Sequence, residues 1–289
     1  MRTLCAIGLI LAWAASTLAQ ELKIGLIPEQ NVFKQMQRYE PLGTYVEEKT
    51  GLQIRFTILS RYGNIIDSFV GEKMDGAFWG SFTGALAIQK AGVEPIARPV
   101  WKDGTSTYHG YIFVREDSGI RGTADMKGKS VAFVDRATTA GYIFPSAYFR
   151  EQGIEDIDAY FGETFFAGSH DAAIDAVLNG KADVGCAKNT IYQLMQSDHP
   201  NMAEDLRILA RSPDVPSNGL GLRNGLPPGT KKALKRALVE MQNDPKGREV
   251  LDRFGALRFE ETTTDDYAPV FQFAAQAGID LATYQYLNE

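Results

Sequence analysis

Apolar and polar positions along this chain alternate between two spacings. Residues 22–28 (LKIGLIP) are an apolar run that reads as a strand closed by Pro28. Residues 33–49 carry apolar side chains at Phe33, Met36, Tyr39, Leu42, Tyr45 and Val46, the three-and-four spacing of one helix face. Residues 52–59 return to period two, with Ile54, Phe56 and Ile58 on one side. A short helix over 64–70, a strand over 74–78, a helix over 84–91 and an extended run over 94–101 complete a first series. The rhythm restarts at Tyr108. Strands are expected over 111–114, 130–135, 182–187, 206–210 and 220–223, with a single turn at 123–126 and helices over 141–151 and 171–178 and from 188 through Met195. Pro227-Pro228-Gly229 opens a helix through Met241, and Asp244-Pro245 opens a mostly helical tail.

Strands alternating with helices predict α/β architecture built on a largely parallel sheet. The two series, with no low-complexity linker between them, predict two lobes. The chain would cross between them near 108–111 and again near 210–222. The first lobe is then expected from residues 20–107 plus 213–289, with residues 108–212 inserted as the second. Lobes of this kind bind ligands in the crevice at the carboxyl ends of their strands.

The first 19 residues change the picture of location. Arg2 precedes an apolar stretch at 4–15, and Thr17-Leu18-Ala19 places small residues where a signal peptidase reads them. The stretch is shorter than the roughly 20 residues of a membrane span. An exported, periplasmic protein cleaved near Ala19 is expected. The formal charge of −6, with no basic stripe, excludes a nucleic-acid footprint. Of two cysteines, Cys5 leaves with the leader. Cys186, in an apolar run, reads as a buried and inert thiol. No internal disulfide is expected.

The chain carries no metalloprotease helix, nucleophile elbow, P-loop or dinucleotide fingerprint, and its three histidines lie in unrelated segments. No enzyme, cofactor or metal site is expected. The informative segment is VAFVDRATTAGY at 131–142, a strand running through a hydroxyl-rich turn into a helix. Free N–H groups and the helix dipole favour an anion there, Thr138 and Thr139 add hydroxyls, and Ala140 and Gly141 leave room for approach to the backbone. Taken alone, the same pattern reads as an ordinary threonine cap. Ser169-His170 stands at another helix start, as a ligand donor or as an exposed cap. Arg61-Tyr62 follows a strand, and Tyr108 lies at the expected crossing. All four segments fall at strand ends or at the hinge.

The succession IGLIPEQN, RYEPLGTYVEEKTG, DGAFWGSFTGALA, TYHGYIFVREDSGI, DMKGKSVAFVDRATTAGYIFP, AGSHDAAIDAVLNGKADVG and ILARSPDVPSNG resembles the PhnD-type periplasmic phosphonate-binding proteins of ABC importers. The resemblance covers essentially the whole chain after residue 19. It implies a type II periplasmic binding protein with its ligand cleft between the lobes. By that resemblance Thr138, Thr139 and Ala140 match the turn that holds the phosphonate group, His170 matches a ligand histidine, and Tyr62 and Tyr108 match ligand tyrosines. Ala140 stands where the family has a third hydroxyl. Aminophosphonate binders of the family carry carboxylates where this chain has Lys188-Asn189-Thr190 and Ser217-Asn218-Gly219. A ligand ammonium needs such a partner when it leaves water. The resemblance therefore implies capture of a small phosphorus oxyanion or a phosphonate without an amine. Lys188 reads as a solvated lysine, or else as an added positive charge at the site. The partner is an ABC permease, or alternatively a membrane histidine kinase if the protein serves as a periplasmic sensor. A monomer is expected.

Overall fold

The computed structural model describes residues 20–59, 65–276, 278–284 and 286. In chain order its elements are β1 (Glu21–Leu26), α1 (Val32–Thr50), β2 (Gln53–Ile58), α2 (Ile65–Gly71), β3 (Gly76–Trp79), α3 (Ser81–Ala91), β4 (Glu94–Trp101), β5 (Thr107–Tyr108) and β6 (Gly110–Arg115). Next come β7 (Ser130–Phe133), α4 (Phe144–Glu151), α5 (Ile157–Tyr160), β8 (Glu163–Phe166), α6 (His170–Leu178), β9 (Val184–Lys188), α7 (Asn189–Asp198), α8 (Met202–Asp205) and β10 (Leu206–Arg211). The chain closes with β11 (Val215–Pro216), β12 (Gly219–Leu222), α9 (Pro228–Val239), α10 (Pro245–Phe254), β13 (Ala256–Glu261) and α11 (Ala268–Gln276).

Two sheets carry the fold. One is ordered β13-β4-β12-β3-β1-β2 and the other β10-β6-β9-β7-β8. Both are mixed rather than largely parallel. In the first, β1 pairs parallel with β2 and β3, whereas β12 runs antiparallel to β3 and β4, and β13 antiparallel to β4. In the second, β7 is parallel to β8 and β9, and β6 is antiparallel to β9 and β10. The antiparallel pairs arise where the chain passes between sheets. A strand that returns from the other lobe has no helical crossover to reverse it. Between the sheets, β5 and β11 pair as a short antiparallel ribbon.

The expected elements form, but the short elements β5, α5, α8 and β11 and the strands β8 and β13 were not expected. β13 makes the tail less helical than its pattern implied. The helix expected over 141–151 begins instead as a π-helical turn over Thr139–Ile143 that continues into α4.

Local chemistry explains the best-formed elements. Asn31 caps α1 by accepting from the N–H of Phe33 and Lys34. Gly51 ends it at φ 71°, where a side chain would be strained. The apolar face of α1 buries Tyr39, Leu42 and Val46. The Tyr39 ring meets Phe78 of β3 and Phe254 of α10, each with centroids 5.1 Å apart. β3 lies between β1 and β12 and is buried along its whole length, as its apolar sequence requires.

This topology aims chain ends at one place. β1 runs into Glu29, β3 into Gly80-Ser81, β7 into the 134–139 turn, β8 into His170 and β9 ends at Lys188. All are carboxyl ends of strands in the parallel parts of the two sheets.

Candidate functional site

A buried cavity between the lobes is lined by Ile27, Glu29, the segment Gly80-Ser81-Phe82-Thr83, Tyr108, Ala137, Thr138, Thr139, His170, Lys188 and Asn218. Tyr108, Thr138, Thr139 and His170, singled out from the sequence, therefore stand together. Ala140 is buried but packs against Gly110, whose Cα would bring a side-chain carbon to 3.0 Å from the Ala140 backbone. Tyr62 lies outside the described residues. Gly141 does not leave room for a ligand, as its sequence context had implied. A Cβ there would fall 2.4 Å from the Val134 side chain, so the glycine lets the π-turn pack onto β7's exit.

The 134–139 turn is held by its own backbone. The Asp135 carboxylate accepts from the Ala137 N–H at 2.8 Å, and the Thr138 hydroxyl donates to the Asp135 carbonyl at 2.6 Å. Thr139 faces the other lobe. Its Oγ1 accepts the N–H of Phe82 at 3.1 Å, in the first turn of α3. That helix starts at Gly80, which offers no side-chain cap, so Thr139 supplies one from across the cleft. Tyr108 bonds through its hydroxyl to Ser81 and Thr139. Burial raises its pKa and those bonds oppose the rise.

His170 opens α6 behind Ser169, whose hydroxyl is the cap. The imidazole is buried, and its Nδ1 accepts the N–H of Lys188 at 3.2 Å. Burial, reinforced by the Lys188 charge, lowers its pKa from 6.5 to about 3. The ring is thus neutral at physiological pH, with its proton on Nε2 as a hydrogen-bond donor. The His170 N–H itself donates to the Glu29 carbonyl at 3.1 Å.

Lys188 overturns its expected solvation. It is only 2% exposed, and its ammonium donates to Glu29 Oε1 and Asn218 Oδ1, both at 2.8 Å. It also lies 4.2 Å from the centroid of the Tyr108 ring. Burial lowers its pKa, and Glu29 offsets part of that. Burial raises that of Glu29, but Lys188 and Arg38 outweigh it and hold the carboxyl below its ordinary range. The charges of Lys188 and Glu29 cancel, so the cavity lining carries no net formal charge.

Asn218 has one more property. An ammonium can bond only to the amide oxygen, so Lys188 fixes which end is which. The other end, Nδ2, is buried without a hydrogen-bond partner. A buried donor left unpaired is uncommon and costs about 1–3 kcal/mol.

Sequence reasoning missed Glu29, residues 80–83 and the role of Asn218. The signal for 80–83 was present in Trp79-Gly80-Ser81: an apolar strand turning directly into a helix with glycine as its only cap. Cys186, expected to be buried, is fully buried on β9, where burial pushes its thiol up. Among the described residues no group of His, Cys, Asp and Glu is arranged to hold a metal. A wider surface depression of about 890 Å³, lined by Lys231, Lys235 and Arg236 of α9, shares no residue with the cavity.

The lobes are drawn together here. The N–H of Asn31 donates to Asp171 at 2.6 Å, Lys34 pairs with Asp198 at 3.0 Å, and the Phe82–Thr139 and Lys188–Glu29 contacts close the interior. The space left is about 10 Å³, roughly one water-sized sphere. A solute larger than a water molecule enters only when the lobes part.

Known proteins share this fold. The family model described as "ABC transporter, phosphonate, periplasmic substrate-binding protein" matches residues 24–267. The phosphate-import protein PhnD of Mycolicibacterium smegmatis is 27% identical over 78% of this chain and 73% of its own length. The crystal structure of a binding-protein component of an ABC phosphonate transporter from Pseudomonas aeruginosa superposes with a TM-score of 0.84, at 23% identity, over 90% of this chain and 87% of that one. PhnD1 of Prochlorococcus marinus, in complex with methylphosphonate, superposes with a TM-score of 0.79, at 19% identity, over 90% of this chain and 98% of that one. The fold is that of a type II periplasmic binding protein. Proteins of this kind are non-catalytic and capture a small polar solute for a membrane permease. The chain belongs to the family of periplasmic phosphonate substrate-binding proteins of ABC transporters.

Proposed function

We propose that the inter-lobe cavity captures a small phosphorus oxyanion, or an alkylphosphonate without an amine, for import. The unpartnered Nδ2 of Asn218 carries this reading. It is a buried donor in a cavity whose other polar groups include the neutral Nε2–H of His170, the Thr139 hydroxyl and the first turn of α3. Such an array holds an oxyanion without a full counter-charge, as helix N-termini do. Glu29 has lone pairs beyond the one Lys188 uses, so a protonated oxyanion finds an acceptor there and sulfate does not. Relatives point the same way, the M. smegmatis phosphate-import protein to phosphate and the P. marinus complex to methylphosphonate.

On this reading the lobes comprise residues 20–107 with 213–289, and residues 108–212. The β5–β11 ribbon between the sheets supports a change-over at those points. Residues 1–19 act as the leader that takes the chain to the periplasm. Thermal shift followed by calorimetry tests the ligand class. Phosphate, phosphite and methylphosphonate are expected to raise the melting temperature, and sulfate to leave it unchanged, because a ligand that binds only the folded state stabilises it by mass action. No shift with any phosphorus ligand at millimolar concentration overturns the proposal.

A further inference from the structure

The groups around the Lys188 ammonium are those that would recognise a ligand ammonium. A carboxylate oxygen and an amide oxygen each lie at 2.8 Å, and an aromatic face at 4.2 Å. Such a set answers the needs of a desolvated cation: a counter-charge, further acceptors and a ring quadrupole. All three walls of the cage, the acceptors Glu29 and Asn218 and the Tyr108 ring, line the same cavity as Thr139 and His170. The side chain that fills the cage enters from β9, in the opposite lobe to Glu29.

We propose that Lys188 is a built-in ammonium that occupies a cation cage in the binding cavity and thereby makes the protein selective against amine-bearing phosphonates. This rests on the ligand class proposed above and names its specificity determinant. Lys188 does two things at once. It satisfies Glu29, which would otherwise attract a ligand amine. It also orients Asn218 so that Nδ2, not the oxygen, is left for the ligand. An incoming aminoalkylphosphonate would have to displace a tethered ammonium with its own. A tethered group loses far less freedom on occupying the cage than a free one does.

An ordinary lobe-to-lobe salt bridge would show the same distances, so the test must separate a cage from a latch. The full chain is compared with Lys188→Ala and with Lys188→Met/Glu29→Gln, in which the cage loses its counter-charge. Two readouts are used. The first is the melting temperature in ethylammonium chloride against sodium chloride at equal ionic strength, which needs no phosphorus ligand. Ethylammonium is expected to raise it selectively in Lys188→Ala, and not in the parent or the double variant. The second is calorimetry with methylphosphonate and 2-aminoethylphosphonate. The affinity ratio of the amine-bearing ligand to the amine-free one is expected to rise by at least about tenfold in Lys188→Ala, the worth of one charged hydrogen bond. Should Lys188→Ala fail to fold, recovery of its circular dichroism in ethylammonium, with the double variant folding unaided, supports the cage. No selective effect of ethylammonium on stability or folding, or an unchanged affinity ratio in a folded variant, overturns it. If the parent binds neither phosphonate, the ligand class fails while the ethylammonium readout still decides the cage.

Discussion

Replacing Thr139 by valine probes the contact that joins the 134–139 turn to α3. Valine has nearly the shape of threonine but no oxygen, so the change leaves packing intact and deletes one acceptor and one donor. The acceptor matters to the closed state. Thr139 Oγ1 takes the Phe82 N–H at 3.1 Å, and both residues are buried. Without it, α3 begins with a buried donor facing no partner, a loss of about 1–3 kcal/mol. The donor matters to the ligand. On the proposed reading the hydroxyl hydrogen bonds an anionic oxygen, an interaction worth about 1.5–3 kcal/mol.

Only the closed, liganded form suffers both losses, because opening the cleft exposes Phe82 N–H to water. The penalty therefore appears in affinity more than in stability. The lower bounds together predict about 70-fold weaker binding, and the midpoints about a thousandfold. Thr139→Ser keeps the oxygen and should stay within about threefold of the parent, less than 1 kcal/mol. Calorimetry with methylphosphonate and with phosphate measures this directly, and small-angle scattering reports whether the ligand still closes the lobes. If Thr139→Val binds within about twofold of the parent, Thr139 neither caps α3 in the bound form nor touches the ligand.

Two further perturbations follow from the geometry. His170 is neutral when folded, with its pKa lowered from 6.5 to about 3, so between those values the unfolded chain binds a proton that the folded one does not. Stability should fall with acidification through that window by up to about 1.4 kcal/mol per pH unit, and His170→Asn should flatten the slope; a melting temperature unchanged from pH 7 to pH 5 refutes this. The depressed carboxyl of Glu29 acts in the same direction as pH falls below its ordinary range. Gly141→Ala places a methyl 2.4 Å from Val134 and should destabilise by about 1–3 kcal/mol in chemical denaturation, with Val134→Ala restoring part of the loss. Full stability of the single variant would show that the π-turn has room it does not display.

How much of this was legible in the sequence depended on distance along the chain. Thr138, Thr139 and His170 were legible because each sits at a local junction, a strand running into a helix through hydroxyl or small residues. Tyr108 was legible from its place at the expected crossing between the lobes, and the resemblance added its role as a ligand tyrosine. The Lys188–Glu29 pair was not legible, since 159 residues separate the partners and nothing in either segment marks the other. The apolar run ending in Lys188 did carry a hint, because a lysine that closes a buried central strand has little solvent within reach. The omitted strands failed for a different reason. β8 and β13 are edge strands, and only Ala256 and Phe259 of β13 are buried, so their patterns are too incomplete to show period two. Mixed pairing was hidden too. Direction depends on where the chain leaves one lobe and returns, and hydrophobic spacing does not encode that.

Closure must cost something for a ligand to control it. In the closed form nearly every polar group of the cleft is answered by another: Thr139 by Phe82, Lys188 by Glu29 and Asn218, the His170 N–H by the Glu29 carbonyl. Each of these pairs gives up water to form, so together they shift the open–closed balance little. A ligand shifts that balance only by what it adds to the closed state alone. Asn218 Nδ2 supplies such a term. When the lobes close on nothing it is buried unpaired, and an oxyanion that accepts its hydrogen bond removes a penalty of about 1–3 kcal/mol. That alone favours closure by about 5- to 150-fold. The same amide is held in register by Lys188, so on the proposed reading the residue that fills the cage also sets the donor through which an anion closes the cleft.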